Sequence, residues 1–315
     1  MDILSYKDLQ DKEQIFRIHH EGLGMIVDPN DFDLRMQWDP LLKDGPGGFC
    51  AVIDGRLVGF VGVLEFPTRT LSGEIIIGGI WGVVTDPLYT KRGIFSKLME
   101  RSHEYFQAKG IEVSFLYTYR SWISYEFYKK IGYLEIPVTP KVKDSFKLVT
   151  INSESTNVIE RTTLNGKSMQ TIFSNFVKNK TGFVLRDENF FDSMIKRGQT
   201  NESTSWHIGD GYVMFDEKGR YRTTDKGILE IQEIISSTTS GIQEIINYLY
   251  HSDIGVRGII DPVISDNRVL EVYQSNEYQI SNGNYKVLLY KPLSKKFDWD
   301  AFYGEEFYYS LPTFF

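Results

Sequence analysis

The stretch GGIWGVVTDPLYTKRGIFSKLMERSHEYFQAKG, residues 78–110, decides how the chain is read. It opens as a glycine-broken apolar strand, stops at Asp86-Pro87 and passes through the basic turn Thr90-Lys91-Arg92-Gly93 into a helix. Ile94, Leu98, Tyr105 and Phe106 fall on one helical face, and Gly110 stands where a helix-ending glycine belongs. A strand that feeds a helix through such a turn leaves orphan amides at the helix N-terminus, where the dipole also favours negative charge. Lys91, Arg92, Lys97 and Arg101 add positive charge there, in a chain whose 35 Lys and Arg are outnumbered by 42 Asp and Glu. A pyrophosphate suits that turn.

Working outward, residues 49–64 are two β-rich runs broken at Asp54-Gly55, a strong two-residue hairpin signal, and a third run covers 74–85. Upstream, residues 2–6 read as a strand and Gln14, Ile15, Ile18 and His19 as a helix stopping near Gly22–Gly24. A second helix is expected around Leu34, Trp38 and Leu41. Downstream, 112–118 is β-like, 122–131 a short helix stopped by Gly132, and 133–138 a strand. Residues 141–155 read as a linker holding a strand. The second half predicts helices over 164–178, 186–196 and 239–251, and strands over 212–215, 227–234 and 285–290. The class is α/β with a mixed sheet. His19-His20-Glu21 is expected as a solvated helix face, because adjacent helical side chains point about 100° apart.

Two pieces at fixed spacing carry a resemblance. Pro87, Arg92 and Gly93 match the coenzyme A turn of the GCN5-related N-acetyltransferase (GNAT) superfamily. Phe127-Tyr128, Gly132 and Tyr133 match the short helix that follows it. The strand, helices, hairpin and long strand before them arrive in the superfamily's order, over residues 1–140. Thr90 stands where the family prefers Gln or Arg, and Phe95 where it prefers Gly or Ala. The Lys-Arg-Gly variant resembles the branch of the enhanced intracellular survival (Eis) protein, which implies two tandem acetyltransferase-like domains, the second degenerate. The expected layout is a catalytic domain over 1–145, a degenerate domain over 152–292 and an aromatic tail over 293–315.

The resemblance implies acetyl-CoA as cofactor and direct attack on it by a primary amine, small-molecule or peptidic, in a ternary complex. Anchorage falls to Lys91, Arg92, Gly93, Ile94, Phe95 and Ser121. Val83, Val84 and Thr85 offer a strand edge to the amide-like pantetheine arm, and one of their N–H groups an oxyanion donor. Tyr128 is the expected general acid, since a phenol near ~10 can hand a proton to a thiolate whose thiol titrates near ~8.5. For the base, Glu74 and Glu65 read either as residues at the cleft floor or as solvated strand-end carboxylates. The Eis branch implies a third candidate, the terminal carboxylate, here that of Phe315. Asp28 and Trp38, with Glu65, are expected to line an acceptor pocket that favours a cation. The alternative is a non-catalytic acyl-CoA-binding or interaction module, in which Thr90 and Phe95 record decay of the turn. A lipid-carrier-like second half is a further rival.

Composition sets the outer limits. The chain has 315 residues, about twice a usual domain, and 41% of them are apolar, which argues against disorder. A formal charge of −7 offers no nucleic-acid footprint. With one cysteine, Cys50, neither an internal disulfide nor a multi-cysteine zinc site forms, and no metal is expected. No stretch reaches the ~20 apolar residues of a membrane span, and the charged N-terminus lacks a leader's apolar run, so the expected compartment is the cytoplasm. The tail from Phe297 is too aromatic to stay exposed and predicts packing on the core or across a homo-oligomer interface.

Overall fold

A computed structural model describes residues 1–25, 29–39, 41–42, 45–136, 141–145, 161–162, 165–186, 188–196, 200–217, 227–252, 256, 258–261, 264–281, 286–304 and 306–310. The chain divides into two compact units. The first holds Met1–Ile136 and Val287–Phe302, and the second the chain between and after them.

The first unit starts with β1 (Asp2–Ser5), α1 (Gln14–Leu23) and α2 (Pro29–Trp38), so the second helix ends before Leu41. Then come β2 (Gly48–Ile53), β3 (Arg56–Thr70) and β4 (Gly73–Thr85), joined by tight turns at Asp54-Gly55 and Leu71-Ser72. They are followed by α3 (Ile94–Ala108), β5 (Val113–Tyr119), α4 (Ile123–Lys130) and β6 (Leu134–Glu135). β1 to β4 pair antiparallel in sequence order; the tight turns dictate this for β2–β3 and β3–β4, while β1 returns to β2 after α1 and α2. β4 and β5 are parallel, with α3 as the crossover. One face of the sheet packs Val61, Val63 and Ile80 against Ile94, Leu98 and Phe106 of α3. The other packs Phe60 and Val84 against Ile15 and Ile18 of α1 and Phe32 of α2.

The second unit contains β7 (Lys141–Ser145), β8 (Arg161–Thr162), α5 (Gly166–Phe176), β9 (Thr181–Gly182), α6 (Phe190–Lys196), β10 (Ser205–Ile208), β11 (Gly211–Glu217), β12 (Ile228–Ile235), α7 (Thr239–His251), β13 (Gly258–Asp261), α8 (Asn267–Ser275) and β14 (Ile280–Ser281). Its sheet runs β14-β7-β13-β12-β11-β10-β8. The strand expected inside a linker, β7, is therefore an inner strand of this sheet. α7 and α8 cover one face, around Ile242, Ile245 and Val272. α5 and α6 cover the other, around Phe173 and Phe191. Like the first, this is a mixed sheet with helices on both faces.

Three late elements are shared out. β15 (Lys286–Pro292), whose residues the sequence groups with the second domain, lies between β5 and β6 in the first sheet. Its apolar run Val287-Leu288-Leu289 is buried, and that burial specifies a strand without naming its partners. α9 (Trp299–Phe302) packs beside it, with Trp299 stacked on Tyr290 at 4.1 Å and Phe302 against Phe115 at 5.1 Å. β16 (Phe307–Tyr308) pairs in parallel with β9 of the second unit. Among the described residues, no helix is long and apolar enough to cross a membrane.

Candidate active site

The anion turn is held from below by Asp86, whose side chain is wholly buried. Its Oδ1 accepts from the Leu88 amide at 3.0 Å, which closes the turn at Pro87–Tyr89. Its Oδ2 accepts from Arg56 Nη2 at 2.8 Å and from Arg17 Nη1 at 3.0 Å. Burial alone would push this carboxyl up, but the Leu88 amide and the two guanidiniums outweigh it and hold it below the usual carboxylate range. Beyond this anchor Lys91 and Gly93 both adopt left-handed backbone, at φ 61° and 74°. That conformation is cheap for glycine and uncommon for lysine. Gly93 caps α3 without a side chain, and the first helical bond is Lys97 N–H to Gly93 O. Among the described residues, the amides of Ile94, Phe95 and Ser96 are left for an outside acceptor. A Cβ at Gly93 would meet nothing within 4 Å, so the approach is open. Lys91, Arg92 and Lys97 are exposed around it, with Arg92 lying 4.8 Å over the Tyr89 ring. This cradle fits a pyrophosphate.

Beside the turn the sheet opens. β4 and β5 pair only over Gly78–Ile80 against Ser114–Leu116, although β4 runs on to Thr85 and β5 to Tyr119. The divergence starts at a bulge: Phe60 faces Val84, but Gly62 faces Trp81, so β4 carries one extra residue there. Gly82 takes the required positive φ of 57°. Val83 and Thr85 remain half-buried along the freed edge, while Val84 is buried. Strand-edge amides without a strand partner suit an extended, amide-bearing ligand.

Tyr128 is brought to the same place. It sits on α4, only 5% exposed, with its ring 5.7 Å from Phe95 in the first turn of α3 and 5.9 Å from Tyr133. Burial pushes its phenol well above the ordinary value. Among the described residues its hydroxyl has no hydrogen-bond partner, whereas the neighbouring Tyr133 hydroxyl bonds Ser114 at 2.7 Å and His103 at 3.0 Å. Ser121 is exposed in the turn between β5 and α4.

Of the expected base and acceptor residues, Glu74 and Glu65 do not gather there. Glu74 is exposed at the opposite end of β4, eleven residues from Thr85 and thus about 35 Å along the strand. Glu65 shares the α3 face with Val61 and Val63, where it accepts from the Tyr105 hydroxyl and lies 3.6 Å from Lys109. Trp38 is half-exposed at the last residue of α2. Asp28 and Phe315 lie outside the described residues.

The family model for an acetyltransferase (GNAT) domain matches residues 6–136. Over this segment the chain is similar to GNAT acetyltransferase domains. No curated protein matches the sequence. Among solved structures, a GCN5-related N-acetyltransferase from Anabaena variabilis aligns with a TM-score of 0.65 at 14% identity, over 93% of this chain and 73% of its own. One from Kribbella flavida gives 0.61 at 16%, over 92% and 70%. Eis1 from Mycobacterium abscessus gives 0.57 at 14%, over 93% and 74%. These alignments extend the shared fold across both units and support the Eis-like resemblance.

The first unit also buries polar side chains beside the bulge that the sequence reading put elsewhere or did not single out. His19 was expected in solvent and is instead 4% exposed, on the stripe of Ile15 and Ile18. Its Nδ1 contacts Ile15 O at 2.7 Å, and its Nε2 lies 3.3 Å from where a Cβ on the bulge residue Gly82 would stand. Burial lowers its pKa against the opposing pull of the Ile15 and Gly82 carbonyls, which favours a neutral ring. Among the described residues, neither His19 Nε2 nor the buried Trp81 Nε1 has a partner. The i, i+3, i+4 spacing of Ile15, Ile18 and His19 was the available signal.

Proposed function

We propose that the chain is an acetyl-CoA-dependent N-acetyltransferase that acts on a primary amine by direct attack in a ternary complex. The observation that carries the reading is Tyr128, a buried residue whose hydroxyl has no hydrogen-bond partner among the described residues and whose ring lies against the first turn of α3, in one cluster with Val83 of the freed edge. Acetyl-CoA would supply the acyl group as a thioester. Lys91, Arg92 and the amides from Gly93 to Phe95, with Ser121 nearby, would bind its pyrophosphate end. The 83–85 edge would align the pantetheine arm and direct one N–H at the thioester carbonyl. The amine nitrogen forms its bond to the carbonyl carbon as the carbon–sulfur bond breaks. Tyr128 gives its proton to the departing sulfur, and a base takes one from the amine. Asp28 and Trp38 are proposed to lie toward the acceptor. The second unit, whose β12 leads into Ser236-Ser237-Thr238 rather than a basic glycine turn, is proposed to be non-catalytic.

Thiol release in the presence of a panel of amines tests the reading. Acetyl-CoA-dependent release that Tyr128→Phe abolishes is expected. Tight cofactor binding with no transfer to any amine would favour the non-catalytic acyl-CoA module.

A further inference from the structure

The second unit repeats the opening of the first. β12 and β13 are parallel and pair only over Ile228–Glu230 against Gly258–Ile260, while β12 continues to Ile235. β12 carries a bulge too: Met214 faces Glu233 but Phe215 faces Ile231, which leaves Gln232 as the extra residue. In the first unit, among the described residues, no parallel partner pairs with the equivalent edge beyond Ile80. In the second it is covered by the chain's own residues 306–310. The backbone of that segment pairs with β9, through Thr181 N–H to Glu306 O and Phe183 N–H to Tyr308 O, both 3.0 Å. The Tyr309 carbonyl accepts from Ser265 Oγ at 2.7 Å. What remains between Ile231–Ile234, Asp261 and Tyr308–Ser310 is a cavity of about 20 Å³, room for about one water.

The floor of this opening is built to hold the segment. Arg186 and Glu233 form a two-pronged ion pair, 2.7 and 2.9 Å, with side chains 2% and 0% exposed. The guanidinium lies 3.6 Å over the Phe173 ring. A buried pair of this kind is favourable only when its remaining hydrogen-bonding positions are filled. The segment fills two of them: the Tyr308 hydroxyl donates to Glu233 Oε1 at 3.0 Å, and Ser310 Oγ accepts from Arg186 Nη2 at 2.9 Å. Tyr212 donates to a further one, Glu233 Oε2, at 2.6 Å, while among the described residues Arg186 Nε is left without a partner. The turn that leads into α7 is tied down within the unit. Thr238 caps the Gly241 amide of α7, and Arg268 donates to the carbonyls of Ser236 and Ser237.

We infer that the opening between β12 and β13 is a cofactor groove converted into an internal receptor whose ligand is the chain's own segment 306–310. The inference goes beyond the proposed activity and does not require it. The test is residue-resolved amide exchange on the full chain, comparing wild type with Tyr308→Phe/Ser310→Ala, a change small enough to leave the fold intact. The expected result is at least a tenfold (~10×) faster exchange at Thr181 and Phe183, whose acceptors belong to the segment, with β11 and β12 unchanged. Equal acceleration across β11 and β12 would make the segment an inseparable part of the core, and no change would show that Glu233 and Arg186 do not hold it; either result overturns the inference. Titration of wild type with acetyl-CoA gives a second check. A second equivalent per chain would overturn it, one equivalent or none supports it, and none would count against the proposed function of the first unit instead.

Discussion

In the proposed role of general acid Tyr128 has to keep its proton until sulfur departs, and its surroundings favour that. Burial penalises the phenolate, so the phenol stays protonated to a higher pH than a tyrosine in water. Two outcomes follow. Tyr128→Phe should lower kcat by about 10²–10⁴-fold and leave acetyl-CoA affinity within about twofold, read by steady-state kinetics and calorimetry. The kcat profile should rise with pH as the amine loses its proton and show no alkaline fall below about pH 10, because the acid remains protonated there. A fall near pH 8 would assign the proton to another group. Phe127-Tyr128 could be picked out in the sequence because the stop at Gly132 fixes the helix around it. Glu65 and Glu74 were visible as carboxylates, but their surroundings were not. The alternation of Val61, Val63 and Glu65 already put Glu65 on the α3 face, and strand length alone carries Glu74 away from the turn.

At the scale of elements, the unit that works is β4, turn and α3, and Asp86 joins it to α1 and β3. Asp86→Asn keeps an acceptor for the Leu88 amide but loses both ion pairs. It should weaken acetyl-CoA binding several-fold and lower the melting temperature, while leaving kcat at saturating cofactor nearly unchanged. Because the Asp86 carboxyl is held below its unfolded value near ~3.9, its contribution to stability is present above about pH 4 and is lost as pH falls through the folded value. His103 acts in a different window. Burial, helped by the charge of Lys291 on β15, pushes its imidazole down to about 4. The unfolded chain therefore binds the extra proton first, and stability should fall as pH drops from about 6.5 toward 4. His103→Gln should flatten that part of the melting-temperature profile. The strand, turn and helix were legible because their signals are local: a proline, a glycine and a periodic helix face. The place of β15 was not, because a partner more than 150 residues away leaves no local trace.

At the scale of the molecule, one plan is used twice with opposite outcomes. Each unit has a bulged strand that leaves its parallel partner after three residue pairs. The first meets the opening with a basic, glycine-capped turn, and the second fills it with a buried ion pair and the chain's own Tyr308 and Ser310. The second unit's likeness to the first was legible in length and element order. The filling of its opening was not, since it depends on residues 186, 233 and 308–310 meeting in space. The most direct measurement is a calorimetric titration of acetyl-CoA into the full chain and into Arg92→Glu. The account predicts one equivalent bound per wild-type chain and at least a tenfold (~10×) loss of affinity in Arg92→Glu. Absence of binding to wild type, or equal binding to both, would contradict it.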